Sequence, residues 1–172
     1  EVLTPDEGVP AALQARLCSL LARSAGHAGM AGGQAIDLAS TGKPLDEATL
    51  CDMHRRKTGA LLQASVVMGA ACGDAPPPVM QALSDYGAAV GLAFQVVDDI
   101  LDVTQPSETL GKTAGKDEQG NKPTYVSVLG LPRARDYALT LRDEAQRALR
   151  RSGLGGAACL EILADKVVER ES

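Results

Sequence analysis

Apolar residues recur every three or four positions along most of the chain, which is the spacing of one face of an α-helix. Residues that cap or break helices divide this pattern into segments. The predicted helices are one that starts at Thr4 and Pro5, then 47–73, 79–103, a short helix ending at Leu129, 133–151 and 157–170. No stretch alternates apolar and polar residues as a half-buried strand does. The chain is therefore predicted to be all-α.

Two segments differ from an ordinary amphipathic helix. Residues 24–33 contain four glycines among small and apolar residues, which indicates the close approach of a helix or a ligand rather than a flexible linker. Residues 91–103 are apolar on nearly all sides except for three aspartates, and a helix of that kind lies in the middle of a bundle. A polar loop, 104–122, follows it.

Composition and charge exclude several classes of protein. Aromatic residues make up only 2% of the chain, which argues against a β-sandwich and against a protein that stacks nucleic-acid bases. A net charge of -5 disfavours non-specific binding to nucleic acid or to an anionic membrane. No apolar run reaches transmembrane length. From the charge we therefore expect no nucleic-acid partner, and from the short apolar runs no stable membrane insertion. The four cysteines are far apart, which predicts reduced thiols in a cytoplasmic protein.

Three carboxylates stand in the apolar segment 91–103. Asp98 and Asp102 are four residues apart and share one helix face, and Asp99 lies beside them. Carboxylates in apolar surroundings repel one another and resist loss of water, so they need a positive partner. That partner is either Lys and Arg side chains or divalent cations. The alternative is a solvated acidic patch, which the C-terminal end of a helix disfavours.

Lysines lie near these acids in the sequence or interrupt apolar segments. Three follow the acids in the polar loop, and a fourth stands in the helix predicted over 47–73; they are Lys112, Lys116, Lys122 and Lys57. Mg²⁺ is bound in proteins by one or two carboxylates together with substrate phosphates, and lysine binds the remaining phosphate charge. Acids and lysines on one rim therefore predict a metal–diphosphate site. Considered alone, Lys116 is better explained as a solvated side chain.

Five ordered blocks carry a family resemblance. They are AGMAGGQAIDL at 28–38, HRRKTGALLQASVVMGA at 54–70, GLAFQVVDDILD at 91–102, TLGKTAGKD at 109–117 and NKPTYVSVLGL at 121–131. Together they resemble the bacterial trans-isoprenyl diphosphate synthases, and within them the farnesyl diphosphate synthase branch. The resemblance covers essentially the whole chain.

The resemblance implies an all-α bundle of the isoprenoid synthase type around a deep cavity. Mg²⁺, or alternatively Mn²⁺, would hold an allylic diphosphate at the mouth of the cavity. Ionisation of that diphosphate, attack by the double bond of isopentenyl diphosphate and loss of a proton would extend dimethylallyl or geranyl diphosphate to farnesyl diphosphate. The resemblance also implies a cytoplasmic homodimer, for which the helix predicted over 47–73 is a candidate contact.

The resemblance assigns the acids and the basic residues of the site. Asp98 is the expected Mg²⁺ ligand, and Asp99 and Asp102 support it directly or through water. Asp37 is expected near the metal through water, with Gln34 beside it. Lys57, Lys112 and Lys122 are expected to bind diphosphate. Asp117 is expected to support the metal and, with Lys122, to lie in the loop that closes over the diphosphates. Arg170 is expected as a C-terminal basic residue near isopentenyl diphosphate.

The resemblance also places residues beside the reacting carbons. The Thr58 hydroxyl, the Lys57 carbonyl and the Gln95 amide are expected to stabilise developing positive charge through their dipoles. Phe94 is expected near the cavity, mainly as a packing residue. The neighbouring His54, Arg55 and Arg56 are expected at the surface or in a dimer interface.

One family element is missing. The family has a first aspartate-rich motif upstream of the GGQ block, and this chain contains only the second, at 98–102. We therefore expect residues 1–172 to be the C-terminal part of a single synthase domain, with the N-terminal helices missing, and to be inactive alone. A geranylgeranyl or longer-chain synthase and a non-catalytic synthase-like subunit are the alternatives. A bare helical interaction domain would not explain the three aspartates.

Overall fold

The computed structural model describes residues 8–105 and 122–170. Throughout these ranges the regular structure is helical and no strand occurs, which confirms the all-α prediction. The elements in chain order are α1 (Ala11–Ala25), α2 (Met30–Ser40), α3 (Glu47–His54), a π-helical turn (Arg55–Gly59), α4 (Ala60–Cys72), α5 (Pro77–Thr104), α6 (Tyr125–Leu129), α7 (Leu131–Ser152) and α8 (Ala158–Glu169).

Helix α5 forms the centre of the bundle. It packs against α4 and the π-helical turn on one side and against α7 and α8 on the other. Most of its second half is buried because, apart from the aspartates, its side chains are apolar on nearly all sides, as the sequence predicted. The buried Tyr86 hydroxyl donates a hydrogen bond to the Leu160 carbonyl at 2.8 Å and so joins α5 to α8. Burial raises the pKa of Tyr86 to about 12, which keeps this hydroxyl a donor.

The helix predicted over 47–73 is interrupted. Its start is as predicted, because the Asp46 side chain accepts a hydrogen bond from the Thr49 backbone N–H at 2.7 Å, which lowers the pKa of that carboxyl. The prediction of one continuous α-helix was wrong, since α3 passes into the π-helical turn before α4 begins. A π-helical turn contains one more residue than an α-helical turn and redirects the side chains that follow it.

Two other helix starts, those of α1 and α6, have clear local causes. The cap predicted at Thr4 lies outside the described residues, and α1 begins only at Ala11, because Gly8 is left-handed (φ 86°) and Pro10 is extended. Before α6, Thr124 and Ser127 form reciprocal side-chain to backbone hydrogen bonds. This capping box fixes where the chain re-enters the bundle after residue 122.

Two expectations from composition can be compared with the fold. In the part of the chain that the structure describes, no helix combines the length and apolarity needed to cross a membrane. Cys18, Cys51, Cys72 and Cys159 all lie within that part and are free thiols, as predicted.

Candidate active site

The π-helical turn is held between two glycines. A Cβ atom on Gly33 of α2 would lie 2.3 Å from the Lys57 nitrogen, and one on Gly91 of α5 would lie 2.8 Å from the Gly59 Cα. Both helices therefore approach the turn at backbone distance, which only glycine permits here. This confirms the close approach predicted from the small residues at 24–33.

Each glycine precedes a polar side chain by one helical turn. In α2 this side chain is Asp37, and in α5 it is Gln95. Asp37 contacts Lys57, and Gln95 contacts Thr58, so the two sequential residues of the π-helical turn are each held by a different helix. The predicted group of Lys57, Thr58 and Gln95 is thus brought together by the fold.

Lysine charge collects around one buried carboxylate. Lys57 Nζ donates to Asp37 Oδ2 at 2.6 Å, and Lys122 Nζ lies 4.0 Å from the same oxygen. The Asp37 carboxylate is buried, whereas the two lysine side chains are 32% and 41% exposed. The ammonium groups therefore remain accessible to an anion at the rim. Asp37, expected near a metal, is here the residue that orients the lysines.

The hydroxyl of Thr58 has a defined direction. Its Oγ1 donates to Gln95 Oε1, so its lone pairs point away from that hydrogen bond. A hydroxyl oxygen and an amide held in this way present negative ends of dipoles without needing to reorganise. The pair is chemically suited to stabilising a positive charge.

The three aspartates at 98–102 do not share one environment. Asp98 is half-buried, and the buried Asp102 lines a cavity of about 780 Å³ together with Lys122. Asp99 is directed into the bundle, where its Oδ2 accepts the Tyr125 backbone N–H at 2.7 Å. Within residues 8–105 and 122–170, no three His, Cys, Asp or Glu side chains are placed to hold one metal ion.

The donor set on α5 still fits magnesium. Asp98 and Asp102 are one helical turn apart and supply oxygen ligands, and Mg²⁺ uses one or two carboxylates when phosphate oxygens and water complete its octahedron. Asp98 and Asp102 therefore fit a metal ion that would also be bound by phosphate oxygens, rather than one enclosed by protein ligands alone.

Comparison with known proteins identifies the family. The profile described as "Polyprenyl synthetase" matches residues 10–152. This chain belongs to the polyprenyl synthetase family. Its sequence is 44% identical to farnesyl diphosphate synthase of Escherichia coli (strain K12) over 157 residues, which cover 90% of this chain and 52% of the relative. It is also 44% identical to the chloroplastic geranylgeranyl pyrophosphate synthase of Capsicum annuum over 153 residues, covering 88% of this chain and 42% of the relative.

Solved structures agree with this placement. The fold is similar to that of geranyltransferase from Helicobacter pylori, solved in complex with magnesium and isoprenyl diphosphate, with a TM-score of 0.79 and 32% identity. That match covers 96% of this chain and 54% of the other. The chain thus spans about half the length of the relatives it matches.

The remaining predicted residues lie in different places. Lys112, Lys116 and Asp117 are outside the described residues, and Gln34 is exposed on α2. The guanidinium of Arg170 stacks 4.1 Å from the centre of the half-buried Phe94 ring and donates to the Phe94 carbonyl at 3.3 Å. Arg170 therefore contacts α5 at the residue before Gln95.

His54 is the residue that sequence reasoning placed wrongly. It is only 6% exposed, whereas Arg55 is exposed as predicted. Its ring stacks on Tyr125, with 5.4 Å between centroids, and its Nε2 lies 3.9 Å from Asp99 Oδ2. No local signal marks this contact, because its partners are 45 and 71 positions away in the sequence and only folding brings them together.

Burial of His54 makes a pH-dependent contribution to stability. Burial, together with the smaller effect of the Lys57 charge, lowers the pKa of His54 from 6.5 to about 4, although the Asp37 charge opposes the shift. Below pH 6.5 the unfolded state binds a proton that the folded state excludes, so stability falls as the pH falls towards 4 and is fully present above 6.5. The loss is expected to reach roughly 3 kcal/mol at 1.36 kcal/mol per pKa unit.

Denaturant unfolding of the wild type and His54→Gln at pH 7.5, 6, 5 and 4 measures the contribution of His54 to the free energy of unfolding. Because the other titrating groups are common to both proteins, the difference between the two profiles isolates His54. The variant should lose less stability than the wild type between pH 6.5 and 4. Parallel profiles would contradict the assignment of a neutral, buried imidazole.

Proposed function

We propose that the protein containing this chain is a Mg²⁺-dependent prenyltransferase that condenses isopentenyl diphosphate with dimethylallyl or geranyl diphosphate to form farnesyl diphosphate. In this proposal residues 1–172 form the C-terminal part of a single synthase domain, which acts as a cytoplasmic homodimer. Support for the dimer comes from α4, an uncharged helix in which only Ala64 and Ala71 are buried.

One observation carries the proposal. The π-helical turn presents Lys57 and Thr58 side by side, with Lys57 beside Asp37 and Thr58 bonded to Gln95. A cationic group that binds a departing anion is thus adjacent to a dipole pair that favours a cation. Ionisation of an allylic diphosphate produces these two charges side by side, a diphosphate anion and an allylic cation. Hydrolysis or phosphoryl transfer would not require a cation-stabilising pair beside the lysine.

The chain's own residues supply three actions. Lys57 and Lys122 bind phosphate oxygens and stabilise the negative charge that collects on diphosphate as the carbon–oxygen bond breaks. Thr58 and Gln95 stabilise the allylic cation until the double bond of isopentenyl diphosphate attacks it. Apolar residues of α5 exclude water from the cation, which would otherwise be hydrolysed to an alcohol.

Asp98 and Asp102 are the residues that would hold Mg²⁺ at the edge of this site, and Mn²⁺ would fit the same oxygen donors. When bound, the metal neutralises diphosphate charge and makes diphosphate a better leaving group. The Helicobacter pylori relative was solved with magnesium and isoprenyl diphosphate together, which agrees with joint binding.

Product analysis of the full-length protein tests the proposal. With radiolabelled isopentenyl diphosphate, geranyl diphosphate and Mg²⁺, farnesyl diphosphate should form, and chelation of the metal should stop the reaction. Asp98→Asn should lower turnover by about 10²–10³-fold, whereas Asp136→Asn, on the exposed face of α7, should not change it.

The outcomes separate the alternatives. Geranylgeranyl diphosphate as the final product would overturn the assignment of farnesyl diphosphate. It is the main alternative product, because the Capsicum geranylgeranyl pyrophosphate synthase is as similar to this chain as the Escherichia coli farnesyl diphosphate synthase is. Absence of product with every allylic substrate would favour a non-catalytic subunit. Residues 1–172 expressed alone should give no product, because they contain only one aspartate-rich motif.

A further inference from the structure

The three aspartates at 98–102 are the same residue type, but the fold gives them different surroundings. Asp99 and Asp102 are both buried, but Asp102 lines the cavity that Lys122 also lines, whereas Asp99 accepts a hydrogen bond from the backbone of another helix. We propose that Asp99 is a positioning residue rather than a metal ligand, and that it sets the place of Lys122 at the diphosphate rim. This inference rests on the proposed function for its substrate and on the packing of α5 against α6 for its geometry.

The hydrogen bond of Asp99 is made at a decisive point of the chain. Tyr125, whose backbone N–H donates to Asp99 Oδ2 at 2.7 Å, is fully buried and is the first residue of α6. The first N–H groups of a helix have no partner inside the helix, so the Asp99 carboxylate satisfies one of them. Asp99 thereby ties the end of α5 to the start of α6.

Lys122 lies three residues before that anchor. The capping box fixes the backbone at Thr124, two residues after Lys122, and Lys122 Nζ lies 4.0 Å from Asp37 Oδ2 of α2. The chain from Tyr125 back to Lys122 is thus held by a buried carboxylate at one end and approaches the Asp37 carboxylate at the other. Loss of the Asp99 anchor would free the segment that carries the Lys122 ammonium.

The surroundings of Asp99 favour an anchor over a ligand. Its Oδ2 faces Tyr125 N–H and the His54 ring, which stacks on the Tyr125 ring. An oxygen between these groups lies inside the bundle and not at the rim where Lys57 and Lys122 are exposed. A charge-assisted hydrogen bond is about twice as strong as a neutral one, which explains a carboxylate at this position.

The amide spectrum of ¹⁵N-tyrosine tests the contact directly, without any need for turnover. This chain contains three tyrosines, and Tyr125→Phe identifies the Tyr125 signal by removing its label. Asp99→Asn should shift that signal and keep it protected from exchange, because the amide oxygen still accepts. Asp99→Ala should remove the protection and lower Tm by roughly 5 °C. Asp98→Asn and Asp136→Asn should leave the signal in place.

Metal binding distinguishes anchor from ligand. Mn²⁺ is titrated into the full-length protein with inorganic diphosphate present, and free Mn²⁺ is followed by electron paramagnetic resonance. Asp98→Asn should weaken Mn²⁺ binding about tenfold or more, the loss typical of a changed metal site, whereas Asp99→Asn should change it less than twofold. Equal weakening by the two variants would overturn the proposal.

Kinetics of the same variants test the link to Lys122. Asp99→Ala and Lys122→Ala should each raise the KM for the allylic diphosphate by about tenfold, and the double variant should be no worse than either, because both act through one ammonium group. Asp99→Asn should restore most of the affinity. Additive effects would contradict the link. An inactive protein with the expected Tyr125 shifts would refute the proposed function and leave the anchor established.

Discussion

Replacement of Gly33 by alanine is expected to lower the free energy of unfolding by about 3 kcal/mol, at the upper end of the usual range for an overpacked core. The new Cβ would lie 2.3 Å from the Lys57 nitrogen and 2.6 Å from its Cα, closer than a Cβ atom approaches non-bonded atoms in folded proteins. Both contacts are with backbone, so no side-chain rotation relieves them. Either α2 or the π-helical turn must move, and with it Lys57 and Thr58.

Two further alanine variants complete this measurement. Gly91→Ala should cost less, about 1–2 kcal/mol, because its nearest contact is a Gly59 Cα at 2.8 Å. A Cβ atom on Gly69 of α4 would have nothing within 4 Å in this chain, so Gly69→Ala should stabilise the monomer by roughly 0.5–1 kcal/mol.

Chemical unfolding gives the three free energies, and product formation well below each Tm gives the effect on turnover. From most to least stable, the expected order is Gly69→Ala, wild type, Gly91→Ala and Gly33→Ala. A Gly33→Ala protein of wild-type stability and turnover would show that the π-helical turn is not clamped between α2 and α5.

Removal of the Lys57 ammonium is expected to lower turnover by about 10²–10³-fold, the usual loss for one group that stabilises transition-state charge. Stability should fall as well, because Asp37 is buried and loses its partner at 2.6 Å. Lys57 is about a third exposed, so Lys57→Ala should cost about 1–3 kcal/mol, between the values for surface and buried pairs.

A second substitution separates the two effects. Lys57→Ala with Asp37→Asn removes the uncompensated carboxylate and should recover most of the stability, but turnover should remain at the level of Lys57→Ala. The matched control is Lys166→Ala, an exposed lysine on α8. If the double variant regained turnover, the role of Lys57 would be to neutralise Asp37 rather than to bind diphosphate.

The helices of this chain were predictable because their signals are local. The apolar spacing of 133–151 and 157–170 predicted α7 and α8 to within two residues, and Asp46 predicted the start of α3. The all-round apolar character of 91–103 predicted that α5 would be central. These signals depend on residues within one or two turns of each other, which the sequence contains explicitly.

The interruption at Arg55–Gly59 was not predictable in that way. Residues on both sides of it have helical periodicity, and one extra residue in a turn changes the register without changing composition. The turn lies between Gly33 and Gly91, which are 58 positions apart in the sequence. The burial of His54 and the inward direction of Asp99 were missed for the same reason, since their partner Tyr125 follows the polar loop.

The sequence by itself determined the helical class, the apolar character of α5, the small residues that permit close approach and the set of acids, lysines and polar residues available for chemistry. Tertiary structure decided which of them meet: Lys57 with Asp37, Thr58 with Gln95, and Asp99 with Tyr125. Composition and spacing act through neighbours along the chain. The direction of a buried carboxylate is set by the groups that satisfy its charge, and here those groups come from other helices.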